Sequence, residues 1–220
     1  MYSLPEGFDE ADLDPGTSLL ITGQPMTGKR RLGLDVLANG AASGDGAIVV
    51  TTKDDAERVL DDFRSAAGSG DGDGNSNSDG STGLDGTNLG IVDCVSRQQG
   101  VDELADARVT YVSSPEDMTG IGIEFSELLE EFRSNRGLER NRVLFHSITA
   151  LLLHSNPETV FRFLHVFTGR IRSVGGLGVF VIESTVHDDR TMGTIQQLFD
   201  GVIAVDDGVE PNVRLPGVTD

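Results

Sequence analysis

The sequence predicts an α/β fold, a mainly parallel sheet with helices on both faces. Three observations predict it. Along the 220 residues, short apolar runs alternate with helical stripes, and most runs are apolar at successive positions, as strands covered on both faces are. No repeat with a period of roughly 20–50 residues interrupts that alternation. Between the first run and the first stripe stands Gly23-Gln24-Pro25-Met26-Thr27-Gly28-Lys29, the Gly-x-x-x-x-Gly-Lys pattern of a phosphate-binding loop. A single domain over 1–220 is expected.

The elements follow in order. Residues 1–15 are polar, with Pro5 and Pro15, and read as a leading segment. Pro15-Gly16-Thr17 turns into a strand at 18–22. Leu32, Val36 and Leu37 mark a helix over 29–38. Gly44-Asp45-Gly46 turns into a buried strand, Ala47 through Thr52. Ala56, Val59, Leu60 and Phe63 give one face of a helix over 54–66, and the acids at its start suit a helix N-terminus. Residues 68–88 are dominated by Gly, Ser, Asp and Asn, with Leu84 the one large apolar residue. They read as a flexible insertion. Strands follow at 89–95 and 108–112, then a helical stripe of Ile121, Phe125, Leu128, Leu129 and Phe132. Residues 142–148 form the next strand, and 151–153 a short helix. Pro157 opens a long helix to 174, whose stripe of Val160, Leu164, Phe167, Ile171 and Val174 faces the core. A strand at 178–183, a helix at 192–199, a strand at 201–205 and an edge strand within 209–215 complete the pattern.

Composition narrows the function. The net charge is −19, from 36 acidic and 17 basic residues. Such a field opposes loose binding to nucleic acid or anionic membrane. The acids are spread along the chain, which fits solubility in strong brine; an acidic partner surface is the other reading. Cys94 is the only cysteine, so no internal disulfide forms, and its apolar run reads as a small buried side chain. The first ten residues are polar and acidic, unlike a secretory leader, and no apolar run reaches membrane-span length. The chain reads as cytoplasmic.

The glycines of the loop let backbone N–H groups close around phosphate oxygens, and the lysine and the helix N-terminus add positive charge. The pattern asks for Ser or Thr after the lysine, to hold Mg²⁺, and this chain has Arg30. Several stretches together resemble the RecA-like P-loop ATPases, most closely the KaiC branch. They are Pro15 through Gly23 with Gly28-Lys29, Gly46 through Thr52, Arg142 through Leu152, and Phe199-Asp200-Gly201-Val202-Ile203. The resemblance covers most of the chain outside 1–12 and 65–88 and implies a three-layer RecA-like fold. The acidic bias and the 68–88 stretch resemble the degenerate RecA-superfamily proteins of halophilic archaea. That likeness implies an inactivated domain with a link to signal transduction.

Carried over residue by residue, the resemblance places Gly23, Thr27, Gly28, Lys29 and Arg30 at the nucleotide. His146 stands where the Walker B strand ends in Asp. Lys53 and Asp54 stand where the KaiC branch has its catalytic glutamates. Each departure removes an oxygen ligand or an acid from the place where metal and water would be organised. Two unit charges about 4 Å apart at an effective dielectric near 20 interact by roughly 4 kcal/mol, and a divalent ion would feel about twice that as repulsion from Arg30. Mg²⁺ in the usual pose is therefore not expected, no catalytic residue and no metal site is assigned, and hydrolysis should be very slow. Arg30 could instead stand in for the metal, since guanidinium binds phosphate in bidentate fashion. ATP or another nucleotide, held without Mg²⁺, is the only cofactor this suggests.

Other residues offer less. His146 reads as a hydrogen-bonded replacement for the Asp, or as a pH-sensing group. His154 and His165 fall near helix surfaces. His187-Asp188-Asp189 reads as a polar loop in which Asp188 or Asp189 caps the next helix, or as a metal or acid–base cluster. Arg162, Arg170 and Arg172 read as a solvated helix face, or as arginine fingers toward a neighbouring subunit. Two functions fit. One is a non-catalytic RecA-like module that binds a protein partner, or itself, and holds nucleotide at most. The other is an active ATPase whose metal is held by Asp54, Glu183 or Asp188.

Overall fold

The computed structural model describes residues 1–5, 12–68, 87–205 and the backbone of a strand at 212–214. Nearly all of the expected 68–88 insertion therefore lies outside the described residues.

The strands are β1 (Ser18–Gly23), β2 (Gly46–Thr51), β3 (Leu89–Asp93), β4 (Val109–Tyr111), β5 (Asn141–His146), β6 (Leu177–Glu183), β7 (Gly201–Val205) and β8 (Asn212–Arg214). The helices are α1 (Lys29–Ala42), α2 (Ala56–Ala67), α3 (Ser96–Gln99), α4 (Met118–Glu130), α5 (Ile148–His154), α6 (Pro157–Ser173) and α7 (Asp189–Gln196). They form one sheet in the order β4-β3-β2-β5-β6-β1-β7-β8. Its strands run parallel except β8, which pairs antiparallel with β7 at the edge. An edge strand is thus present within the expected range, at Asn212–Arg214.

Alternation along each strand builds two cores. Leu19, Ile21, Val49 and Leu144 face α1 and α2, while Leu20, Ile48, Val50 and Phe145 face α4 and α6. A π turn, Glu131–Asn135, continues α4 and keeps Phe132 fully buried.

Several boundaries differ from expectation, among them the strand expected at 142–148, which is Asn141–His146, and the helix expected at 151–153, which is Ile148–His154; three others differ for local reasons. α1 runs on past 38 to Ala42, because small residues at 38–42 let it lie close to the sheet. α2 starts at Ala56, two residues late, because Asp55 caps it by accepting from the Arg58 N–H at 2.8 Å. α7 covers Asp189–Gln196, not 192–199, because Asp188 caps it and accepts from the Thr191 N–H at 2.7 Å.

The leading segment is less passive than its polarity suggests. Tyr2 is buried, pairs with Leu13, and donates its hydroxyl to the Gly175 carbonyl at 2.8 Å. Beneath it Arg142, at the start of β5, is fully buried. Its Nε donates to Asp45 at 2.9 Å, and its Nη1 to the carbonyls of Ser3 at 2.8 Å and Val36 at 2.9 Å. Gly40 makes room, since a Cβ there would overlap the guanidinium.

Candidate functional site, the P-loop cleft

The cleft lies at the carboxyl ends of β1, β2, β5 and β6, where open parallel sheets take ligands. β1 ends at Gly23, where a side chain would overlap the Val205 carbonyl oxygen. Met26 (φ 64°) and Gly28 (φ 84°) take left-handed backbone. Among the described residues, no backbone N–H from Met26 through Arg30 donates to a protein acceptor. α1 begins without a side-chain cap and without an acid in its first turn. Its dipole end is therefore bare, an arrangement that suits an anion.

The lysine is folded back. Lys29 is buried, and its Nζ donates to the Gln24 carbonyl oxygen and lies 3.3 Å from Thr27 Oγ1. Thr27 in turn donates to Gln24 at 3.0 Å. Burial pulls the Lys29 pKa down, while Glu183 opposes the shift. The loop's own carbonyl thus occupies the ammonium that would meet phosphate.

Arg30 turns away from Lys29 to α2. Its Nε sits 3.3 Å from Asp54, and its Nη1 bonds Asp62. Arg58 reaches the other oxygen of Asp54 at 3.4 Å. Arg30 Nη2 is buried with no partner.

His146 closes β5 and is buried at the floor. Its backbone is fixed by Thr52, whose N–H donates to the His146 carbonyl and whose hydroxyl accepts from the Ser147 N–H at 2.7 Å. The ring's Nδ1 is buried without a hydrogen bond, 3.6 Å from Asp54 Oδ2, which is too far for one. Burial, then the charges of Arg30, Lys53 and Lys29, pull its pKa from 6.5 to about 3. The ring is neutral, so its approach to Asp54 is not an ion pair. Across the mouth, Lys53 meets Glu183 at 3.1 Å.

The cleft has a volume of about 420 Å³. Its cations are Lys29, Arg30, Arg31, Lys53 and Arg58, and its acids Asp54, Asp62 and Glu183. Cations outnumber acids here, in a chain of net charge −19. These residues do not fit Mg²⁺. Arg30 holds the hydroxyl's position, His146 is neutral with an orphaned nitrogen, and Asp54, the nearest carboxylate, is taken by two arginines. Among the described residues no three His, Cys, Asp or Glu side chains gather as a metal site.

Every residue read from the sequence as a nucleotide, Walker B or catalytic-acid position reaches this corner, where Gly23 shapes the loop. His187 does not join them; its Nε2 meets Thr149 Oγ1 at 3.2 Å. Arg162, Arg170 and Arg172 do not line the cleft, and Arg172 pairs with Asp200 at 2.9 Å. Sequence reasoning missed Asp62 and Arg58 as partners of Arg30 and Asp54. The signal was present, since Asp54, Arg58 and Asp62 recur every four residues, Arg58 and Asp62 on one face of α2 and Asp54 just before its cap. Glu183 as partner of Lys53 had no local signal.

A family model described as a family of unknown function (DUF7504) matches residues 16–205. No curated protein matches the chain. Among solved structures, the chain resembles the crystal structure of the KaiC-like protein PH0186 from the hyperthermophilic archaeon Pyrococcus horikoshii OT3. The TM-score is 0.56 at 15% identity, over 92% of this chain and 79% of that one. At that identity the likeness establishes the fold, which is RecA-like.

Proposed function

Because the chain belongs to DUF7504, a family of unknown function, we propose its role from its own cleft: a RecA-like domain that holds a phosphate-bearing ligand without Mg²⁺ and does not hydrolyse it. In this reading it serves as a regulatory or interaction module, and the resemblance to degenerate RecA-superfamily proteins of halophilic archaea suggests a place in signal transduction.

One observation carries the proposal. Where metal and base would sit, the chain has Arg30, His146 and Lys53, and the acids beside them are taken up by cations. Phosphoryl transfer depends on positioning and on charge neutralisation around the transferred group. Here neutralisation would come from fixed cations. Lys29 would leave the Gln24 carbonyl for a phosphate oxygen, whose negative charge would offset the burial that lowers its pKa. The bare N–H groups of the loop would take further oxygens, and Arg30 Nη2 has hydrogens to give. The alternative, an ATPase with an unorthodox metal site, draws no support from these contacts. Asp188 caps α7, and Asp54 and Glu183 are paired with cations.

Calorimetry with ATP in molar KCl, with and without EDTA, tests this. We expect equal affinity in both and loss of binding in Lys29→Ala. Affinity that vanishes with EDTA would overturn the reading, as would Mg²⁺-dependent phosphate release abolished by Lys29→Ala.

A further inference from the structure

On the far face of the sheet from α1, helices α4 and α6 leave a groove between them of about 530 Å³. Its floor is aromatic: Phe125 and Phe167 pack with ring centroids 4.3 Å apart, and Phe163 lies 5.5 Å from Phe167. Its rims are Ile123, 52% exposed, and Val166, 71% exposed. Neither belongs to the core-facing stripe of its helix, so folding alone does not call for an apolar residue at either. At one end the groove runs into an acidic trough with Glu127, Glu130 and Glu131, where Arg170 lies alongside and Arg136 pairs with Glu131 at 3.2 Å.

We propose that this groove docks a basic amphipathic helix from a partner protein. Apolar side chains three and four residues apart would seat between Ile123 and Val166 on the aromatic floor, the way helices lie in apolar grooves. Lysines or arginines beyond them would lie along the trough. Charge selects this occupant. A second copy would oppose the same glutamates across a twofold contact, and the net charge of −19 opposes an anionic membrane. The inference gives a surface to the interaction half of the function proposed above and is independent of its anion half.

The probe is a synthetic helical peptide of about 18 residues. It carries leucines at helical spacing and a lysine-rich end, and its binding is followed by fluorescence anisotropy. We expect wild-type protein to bind it, and affinity to fall about tenfold or more in Ile123→Asp/Val166→Asp and in Glu127→Lys/Glu130→Lys. All four positions are on the surface, and far-UV circular dichroism verifies that each variant is folded; Val166→Ser gives a milder version of the first. Three results would overturn the proposal: equal binding of a peptide with serine for leucine, unchanged binding by the variants, or self-association of wild type that Ile123→Asp/Val166→Asp abolishes. ATP calorimetry on the same variants should be unchanged, so failure at the groove and failure at the P-loop read out separately.

Discussion

Two arginines sit at opposite ends of the sheet, and they differ in what surrounds them. Arg142, at the amino end of β5, has no exposure, and its Nε and Nη1 are met by Asp45 and the carbonyls of Ser3 and Val36. Tyr2 lies over it at 5.5 Å, and the Nη2 of Arg142 is buried without a partner. Arg30, at the carboxyl end, keeps 20% of its side chain exposed. It shares Asp54 with Arg58 and sits near a neutral histidine whose nitrogen has no partner. Each arginine keeps one buried nitrogen without a partner, but that of Arg142 is sealed in the interior while Arg30 lines an open cleft. Buried charge of the first kind stabilises a structure; charge of the second kind marks a place for a ligand.

Truncation gives the largest test of that contrast. Arg142→Ala would leave buried Asp45 with Arg140 as its one cation among the described residues, and since removing one partner of a buried pair costs about 3–5 kcal/mol, about 3 kcal/mol is expected. Arg30→Ala removes a partly solvated pair, and about 1 kcal/mol is expected. Urea unfolding in molar KCl measures both. Equal losses would erase the distinction between a structural arginine and a site arginine.

Acid gives an intermediate effect, confined to the cleft end. The folded His146 titrates near 3 and the unfolded residue near 6.5. Between those values the unfolded chain binds the extra proton, so stability falls as pH falls through that window and is unaffected above it. The slope is at most about 1.4 kcal/mol per pH unit, so about 2 kcal/mol should be lost between pH 6.5 and 5. Carboxylates add their own dependence, so the measured quantity is the difference between wild type and His146→Gln. Parallel curves for the two proteins would mean that the ring is solvated and charged after all.

The same contrast separates what the sequence made legible from what it hid. Gly23, Gly28, Lys29 and Arg30 announce the cleft because a loop's chemistry lies within a few residues. His146 and Lys53 were placed by the resemblance to the KaiC branch, which has a Walker B Asp and a catalytic glutamate at those positions. The Arg142 network was not found. Its acid is 97 residues away, and Tyr2 reaches a carbonyl 173 residues away. Arg142 opens an apolar strand and Gly40 lies two residues beyond the expected end of the first helix, and only the fold puts one against the other. The fate of Lys29 and Arg30 was also hidden. Sequence spacing gave their positions, but only packing shows the lysine turned to its own loop and the arginine turned to α2.

The smallest effect probes the charge balance of the cleft itself. Lys53 is 56% exposed in its pair with Glu183, so Lys53→Ala and Glu183→Gln should each change stability by less than about 0.5 kcal/mol. Their effects on ATP affinity should have opposite signs. Removing the lysine takes a cation from the mouth, and neutralising the glutamate takes away an acid that repels phosphate and holds Lys53. A change of about 0.5 kcal/mol in either direction is about twofold in affinity, within reach of calorimetry. Loss of affinity in both variants would mean that the ion pair shapes the mouth sterically. Opposite shifts would mean that a net positive cleft, carried by an otherwise acidic chain, is what draws the anion in.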